Sequence, residues 1–189
     1  RSVHARISAA KNEGVTAADF AESASVITDR KLAEVFTEYQ ARLLKAGAMD
    51  FDDLLANTVK LFREHGNILE HYRQRFEHIL VDEYQDTNRA QNEMVLLLAD
   101  GHRNVCVVGD SDQGVYGWRG ADLRNILEFE EAFPDVTTVI LDQNYRSTQT
   151  ILDAANAVID NNVERKPKSL WTDSGDGERI VRYHAEDEG

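Results

Sequence analysis

Apolar positions recur at helical spacing through the first third of the chain and then give way to short, unbroken apolar runs. Residues 2–12 are compatible with a helix that Gly14 stops, and Thr16, Ala17 and Asp19 mark the start of another short one. Leu32, Val35, Phe36, Tyr39 and Leu43 repeat on one helical face, and Gly47 ends that stretch. Asp50 is placed to cap the next helix, on which Phe51, Leu54, Leu55 and Phe62 are expected to share the inward face before Gly66 stops it. Asp52 and Asp53 sit in its first turn, where the helix dipole favours negative charge, so they need no chemical role. A further helical stretch covers about residues 68–77.

The pattern then changes. Ile79, Leu80 and Val81 form an apolar run of the kind that becomes a fully buried strand. Residues 88–99 predict a helix with Met94, Val95 and Leu98 inward, and residues 105–108 a second buried strand. A helix over 123–133 is closed by Pro134, and residues 138–141 predict a third strand. Ser147 is expected to cap a helix reaching about residue 161, with Ile151, Leu152, Ala155, Val158 and Ile159 inward. Lys166-Pro167-Lys168 reads as a linker, and residues 179–184 alternate as a short strand does. Short apolar strands alternating with helices predict an α/β fold: a parallel sheet flanked by helices, with an N-terminal helical segment.

Composition narrows the function classes. Apolar residues are 42% and charged residues 29%, the balance of a globular chain with a real core. The net charge of −13 argues against a general nucleic-acid binder, so any such contact must be local or completed by other parts of a larger protein. No apolar run reaches membrane-spanning length and nothing resembles a signal peptide, so no membrane partner is expected. The single cysteine, Cys106, has no internal disulfide partner, which fits a cytoplasmic location. Arg1 is not a natural start residue and residues 186–189 carry no stop signal, so an excised piece is expected.

Candidate chemistry gathers where the predicted strands end. In an open parallel sheet, ligands bind beyond the carboxyl ends of the strands. The first strand delivers Asp82 and Glu83 there, with Asp86 close behind. Paired carboxylates are costly to bury unless they meet a metal, a donor or a substrate, and hard oxygens beside phosphates suit Mg²⁺. Asp82 is the candidate Mg²⁺ ligand and Glu83 the candidate acid that orients and deprotonates a water. The alternative is an exposed acidic turn capping the next helix. The second strand delivers Asp110, Asp112 and Gln113, and the third Gln143, Tyr145 and Arg146. Gln113 alone is an ordinary loop amide and Arg146 alone a surface ion pair; together with the acids they make up a phosphoryl-transfer set. Tyr116 and Trp118, spaced by glycines and followed by Arg119, suit stacking on unpaired bases, but on the residues alone burial of the two aromatics under a loop is the favoured reading.

Three stretches carry a family resemblance: Val81-Asp82-Glu83-Tyr84-Gln85-Asp86-Thr87-Asn88, then Val108-Gly109-Asp110-Ser111-Asp112-Gln113-Gly114-Val115-Tyr116-Gly117-Trp118-Arg119-Gly120-Ala121-Asp122, then Gln143-Asn144-Tyr145-Arg146-Ser147. In this order they closely resemble the UvrD/PcrA/Rep family of superfamily 1 DNA helicases. The likeness extends through Ala9-Ala10-Lys11-Asn12-Glu13, Met49-Asp50-Phe51-Asp52-Asp53-Leu54 and Lys166-Pro167-Lys168-Ser169-Leu170-Trp171-Thr172. It implies a partial RecA-like sheet, ATP and Mg²⁺ as cofactors, and single-stranded DNA and single-strand/duplex junctions as partners, with repair or transcription proteins as further candidates. It implies that Asp82 and Glu83 hold Mg²⁺, with Glu83 activating the attacking water. Gln113 would read the γ-phosphate, Tyr145 stack on the adenine, Arg146 act as an arginine finger, and Trp118 stack on a DNA base with Tyr116 and Arg119 beside it. It assigns residues 1–48 to a helical insertion of the first motor domain, 49–140 to the later half of the first RecA-like core, and 141–189 to the start of the second.

The same resemblance implies a phosphate-binding loop, Gly-x-x-x-x-Gly-Lys-Thr, upstream. These 189 residues contain no Gly-Lys pair, so the stretch by itself is expected to be inactive. Two rivals stand beside this reading: a helicase-like interaction module without enzymatic activity, and the motor segment of a recombination-type helicase–nuclease.

Overall fold

A computed structural model describes residues 2–162, 165 and 167–184, with Arg119 described by its backbone alone. The chain forms two units, Arg1–Pro134 and Asp135–Gly189.

The first unit begins with helices whose ends are fixed by side chains. Ser2 Oγ accepts the Ala5 N–H at the start of α1 (Val3–Asn12), and the chain leaves that helix at Gly14, whose φ of +76° suits glycine. Helix α2 (Ala17–Ser23) opens with a reciprocal cap in which Thr16 Oγ1 accepts the Asp19 N–H and the Asp19 carboxylate accepts the Thr16 N–H. The Thr16 donors hold the Asp19 carboxyl below its usual pKa. Helix α3 (Ile27–Lys45) buries Leu32, Ala33 and Phe36, and Leu32 and Phe36 cluster with Ile7 and Ala10 of α1. Phe20 of α2 meets Phe36 edge-on at 6.1 Å. Val35, expected on that face, is exposed.

Helix α4 (Phe51–Glu64) starts at Asp50, capped reciprocally with Asp53 as the sequence suggested. Its inward stripe is Leu55, Val59 and Phe62, whereas Phe51 is 89% exposed and Leu54 is also exposed. The first turn is instead anchored by a buried ion pair. Lys11 Nζ donates to Asp53 Oδ1 at 2.8 Å and to Asp50 Oδ2 at 2.7 Å, and both Lys11 and Asp53 are buried. The Tyr39 hydroxyl also donates to Asp50 Oδ2, and Gln40 Nε2 to Asp53 Oδ1. Tertiary pairing therefore overrides the apolar pattern at this end. Gly66 does not stop α4; the break falls at His65, and Gly66 opens α5 (Gly66–Arg75). Phe62 and Tyr72 rings, 5.7 Å apart, pack α4 on α5.

Strands β1 (Ile79–Val81) and β2 (Val105–Val107) pair in parallel, Ile79 opposite Val105 and Val81 opposite Val107. Helix α6 (Arg89–Ala99), capped reciprocally by Asn88 and Gln91, connects them. It buries Ala90, Val95 and Ala99, with Met94 and Leu98 half-buried. The strands are not buried on both faces. Successive strand side chains alternate between faces, so Ile79, Val81, Val105 and Val107 are half-buried while Leu80, 78% exposed, and Cys106 face solvent. The helix expected over 123–133 is broken at Glu128 into α7 (Arg124–Leu127) and α8 (Phe129–Ala132). Phe129 and Phe133 turn inward there, their rings 4.8 Å apart, so aromatic burial wins over helix continuity.

The second unit is built on α9 (Gln149–Ile159), preceded by Thr148 in the cap position rather than Ser147. Leu152 is buried and Ile159 half-buried, while Ile151, Ala155 and Val158 are exposed. Residues 138–141 form no strand, and neither do the described residues of 179–184. A strand needs a neighbour to take its backbone groups, and among the described residues of this unit a single parallel bridge forms, Gln143 to Trp171, leaving Val139, Ile140 and Leu141 exposed. Lys166 of the expected linker lies outside the described residues. The α/β class holds, as a helix-rich chain around a small parallel sheet. No described helix is long and apolar enough to cross a membrane.

The Lys11 cluster makes a stability prediction. Burial alone pushes the Asp50 carboxyl up, but hydrogen bonds from Lys11, the Asp53 N–H and Tyr39 outweigh it and hold the pKa below the ordinary 3.8. The bond to Asp50, with burial, pushes the Tyr39 phenol up to about 12. A carboxyl whose folded pKa lies below its unfolded value stabilises above the unfolded value, and this contribution is lost as pH falls through the folded one. Lys11→Met leaves two carboxylates without their cation and is expected to cost about 3–5 kcal/mol in denaturant unfolding of the chain. Asp50→Asn should flatten the stability loss on acidification below pH 3.8.

Candidate active site

The carboxyl ends of β1 and β2 lie side by side, and the backbone ladder runs slightly past both strands. Val108 N–H donates to Val81 O at 2.8 Å, and Tyr84 N–H donates to Val108 O at 2.9 Å. Beyond that rung the chain turns away from the sheet on both sides. After β1 it passes through Glu83, whose φ of +50° and ψ of 43° are left-handed. A non-glycine residue held there costs of order 1 kcal/mol or more, and such strain concentrates at functional positions. Asp82 Oδ1 accepts the Glu83 N–H at 2.9 Å and supports the bend.

Tyr84 and Gln85 then plunge inward. Tyr84 is fully buried, its ring edge-on to Phe129 at 5.5 Å and its hydroxyl donating to Asn92 Oδ1. Burial pushes its phenol up to about 12. Gln85 is 2% exposed and uses both ends of its carboxamide. Nε2 donates to Glu83 Oε2 at 2.8 Å, and Oε1 accepts the Asp110 N–H at 2.9 Å. After β2, Asp110 folds its own loop: Oδ1 accepts the Asp112 N–H at 2.9 Å and Oδ2 accepts Gln113 Nε2 at 2.8 Å. Glu83, Gln85, Asp110 and Gln113 thus form one continuous hydrogen-bonded run across the two strand ends. Gly109 makes the close approach possible, because a Cβ there would lie 2.6 Å from Gln85 Oε1 and 2.8 Å from Ile126 Cδ1.

Asp82 and Glu83 are exposed and enter no ion pair among the described residues. No group of three or more metal-ligating side chains is poised to cage an ion among those residues. Two accessible carboxylates fit Mg²⁺, which keeps several waters and takes one or two carboxylates together with substrate phosphates. Asp86 has a buried Oδ1 without a hydrogen-bond partner.

The aromatic loop after β2 is open to solvent. Tyr116 is 40% and Trp118 73% exposed, their rings 6.4 Å apart and tilted, so neither plugs the core. Gly120, at φ +89°, turns the loop back. An antiparallel bridge then joins Ala121 to Asn88, and the Asp122 N–H donates to Thr87 O at 2.9 Å. The loop is thereby stitched to the segment that carries the acids. The side chain of Arg119 lies outside the described residues.

Tyr145 and Arg146 belong to the second unit. They follow a turn in which Asn144 Oδ1 accepts the N–H groups of Arg146 and Ser147 at 2.9 and 2.8 Å. Tyr145 is 82% exposed and donates its hydroxyl to Gln143 Oε1. Arg146 is exposed and enters no ion pair among the described residues. These groups sit at a turn rather than at the end of a third strand. A groove of about 440 Å³ between α2 and α3, lined by Arg30, Glu34 and Glu38 among others, carries none of the candidate residues.

The family described as UvrD/REP helicase N-terminal domain matches residues 1–134, and the UvrD-like helicase C-terminal domain matches residues 139–189. This chain belongs to the UvrD/Rep helicase family. Proteins named ATP-dependent DNA helicase PcrA are similar along nearly all of it. The one from Leuconostoc citreum is 51% identical over 188 residues, covering 100% of this chain and 25% of the relative. That of Staphylococcus aureus strain Mu50 is 53% identical over 179 residues, 95% of this chain and 24% of the relative. That of Bacillus subtilis strain 168 is 50% identical over 188 residues, 100% and 25%. The chain spans about a quarter of the length of these curated relatives.

Within this UvrD/Rep family chain, sequence reasoning named Glu83 and Gln113 but gave Gln85 no role. The available signal was the glycine facing it: Gly109 at a strand end marks a backbone approached closely by something else. Gly109→Ala is expected to force Gln85 and Ile126 aside and to destabilise the first unit by about 1–3 kcal/mol, read from the shift in denaturant midpoint.

Proposed function

We propose that the protein to which this chain belongs is an ATP-driven helicase that translocates on single-stranded DNA and opens duplexes from a single-strand junction, in the cytoplasm and in the service of DNA repair or replication. One observation carries the reading most: an exposed acid and an exposed amide, Glu83 and Gln113, at adjacent parallel strand ends and joined through buried Gln85 and half-buried Asp110. That is the placement phosphoryl transfer requires, where catalysis is chiefly positioning and electrostatics.

In this reading Asp82 and Glu83 would hold Mg²⁺ beside the triphosphate of ATP, where its chemistry would be to offset phosphate charge. Glu83 orients a water and takes its proton as that water attacks the γ-phosphorus. Gln113 hydrogen-bonds the γ-phosphate and, through the loop that continues to Tyr116 and Trp118, registers its presence at the DNA site. Tyr145 stacks on the adenine, and Arg146 offsets the charge that develops on the transferred group. Trp118 stacks on an unpaired base, with Tyr116 and Arg119 beside it. Residues 1–48 serve as a helical insertion of the first motor domain, 49–140 as the later half of its RecA-like core, and 141–189 as the opening of the second. Docking proteins of repair or transcription are further partners in keeping with this role.

Two substitutions in the full-length protein test the reading. Glu83→Gln should leave nucleotide affinity nearly unchanged and lower single-strand-stimulated ATP turnover by about 10²–10⁴-fold. Ordinary turnover would remove Glu83 as the water-activating acid. Trp118→Ala should weaken single-strand binding by about 1–3 kcal/mol and blunt DNA stimulation of the ATPase. DNA stimulation equal to that of the unmodified protein would take Trp118 out of the interface.

A further inference from the structure

We infer that Gln85 is a positioning residue for ATP hydrolysis: its buried carboxamide fixes the Glu83 carboxylate and the Gln113 amide in one hydrogen-bonded frame. The inference rests on the roles given to Glu83 and Gln113 above and adds the group that sets their mutual geometry.

Three observations support it. First, Gln85 has no solvent-facing task, being 2% exposed, yet both ends of its amide are engaged. A buried amide that merely filled space would be replaceable by an apolar side chain, since buried polar groups are costly unless paired. Second, its two partners lie in the loops that follow different strands. Nε2 meets the exposed acid after β1, and Oε1 meets the backbone of Asp110 after β2, whose carboxylate in turn holds Gln113 Nε2. Third, space for it is reserved at Gly109, where any side chain would collide with Oε1.

The mechanical consequence is specific. Glu83 sits on a left-handed residue at an exposed bend, where its side chain otherwise has rotational freedom. The bond from Gln85 engages Oε2 and so restricts the carboxylate. Loss of the donor frees the acid while leaving phosphate and adenine contacts elsewhere untouched. Loss of the acceptor end frees the Asp110 loop and, with it, Gln113. A small misplacement of reacting groups costs rate rather than affinity.

The experiment compares Gln85→Glu and Gln85→Met in the full-length protein. Gln85→Glu is isosteric; it keeps an acceptor for the Asp110 N–H and sets a like charge against Glu83. Gln85→Met removes both hydrogen bonds at similar volume. For both, affinity for a non-hydrolysable ATP analogue with Mg²⁺ should stay within about threefold while kcat of the single-strand-stimulated ATPase falls at least about tenfold. In the nucleotide-free protein, hydrogen exchange of the Asp110 amide should quicken in Gln85→Met and stay near that of the unmodified protein in Gln85→Glu. The inference is overturned if kcat stays within about twofold in both variants. It is equally overturned if turnover falls only together with nucleotide affinity and thermal stability, or if neither variant folds; either result makes Gln85 a structural residue alone. Glu83→Gln separates the two layers. Full turnover in that variant brings down the role of Glu83 itself, whereas loss of turnover there with normal kinetics in both Gln85 variants removes only the inference about Gln85.

Discussion

The arrangement turns on a single buried carboxamide at the seam between two parallel strands. Where β1 and β2 end, the backbone ladder runs out after the Tyr84–Val108 rung, and the polar groups of the departing loops need partners inside the protein. Gln85 supplies them. Its Oε1 end reaches across the seam to the Asp110 N–H while its Nε2 end holds Glu83 in its own loop, so the loop after β1 is tied to the loop after β2. Gly109 provides the space, and Tyr84, wedged against Phe129, holds the turn that delivers Gln85 to it. The exposed acid and the exposed amide of the site inherit their relative placement from this buried core.

A second linkage runs from the same segment toward the helices and the aromatic loop. Thr87 and Asn88 follow directly after the short turn at Tyr84–Asp86. Asn88 caps α6, donates through Nδ2 to Asn12 Oδ1 at 2.8 Å, and bridges to Ala121. Asn12 donates in turn to Asp52 Oδ1 at 3.0 Å, beside the Lys11 cluster that joins α1 to α4. The stretch from Asp82 to Asn88 therefore touches the sheet, the helical segment and the loop bearing Tyr116 and Trp118. A displacement at the acid has short, hydrogen-bonded routes to each.

How much was legible beforehand follows from where each determinant lies. Helix starts were readable because their caps are local: Ser2, Thr16, Asp50 and Asn88 satisfy orphan N–H groups within a few residues. The two strands were readable as apolar runs, though not their exposed face, because a run does not reveal what covers Leu80 and Cys106. The strand expected at 138–141 is missing because pairing is non-local; an apolar run becomes a strand only when a neighbour takes its backbone groups. Phe51 and Leu54 were misplaced since a buried ion pair with Lys11, 42 positions from Asp53, organises that helix end. Glu83 and Gln113 were placed at strand ends by the motif order, whereas the exposure of Tyr116 and Trp118 was not legible, because residue type alone favours burying an aromatic under a loop. Nor was Gln85, since its meaning appears only once Gly109 and Asp110 stand opposite it.

The roles proposed for Glu83, Gln113 and Arg146 all concern one triphosphate. The most direct measurement is a crystal structure of the full-length protein with Mg²⁺, a non-hydrolysable ATP analogue and a single-stranded oligonucleotide. The account predicts Gln113 and Arg146 within hydrogen-bonding distance of the γ-phosphate, a water held by Glu83 in line with it, and Gln85 still spanning Glu83 and Asp110. A triphosphate bound with Glu83, Gln113 and Arg146 on separate surfaces, none touching it directly or through water, would contradict the account.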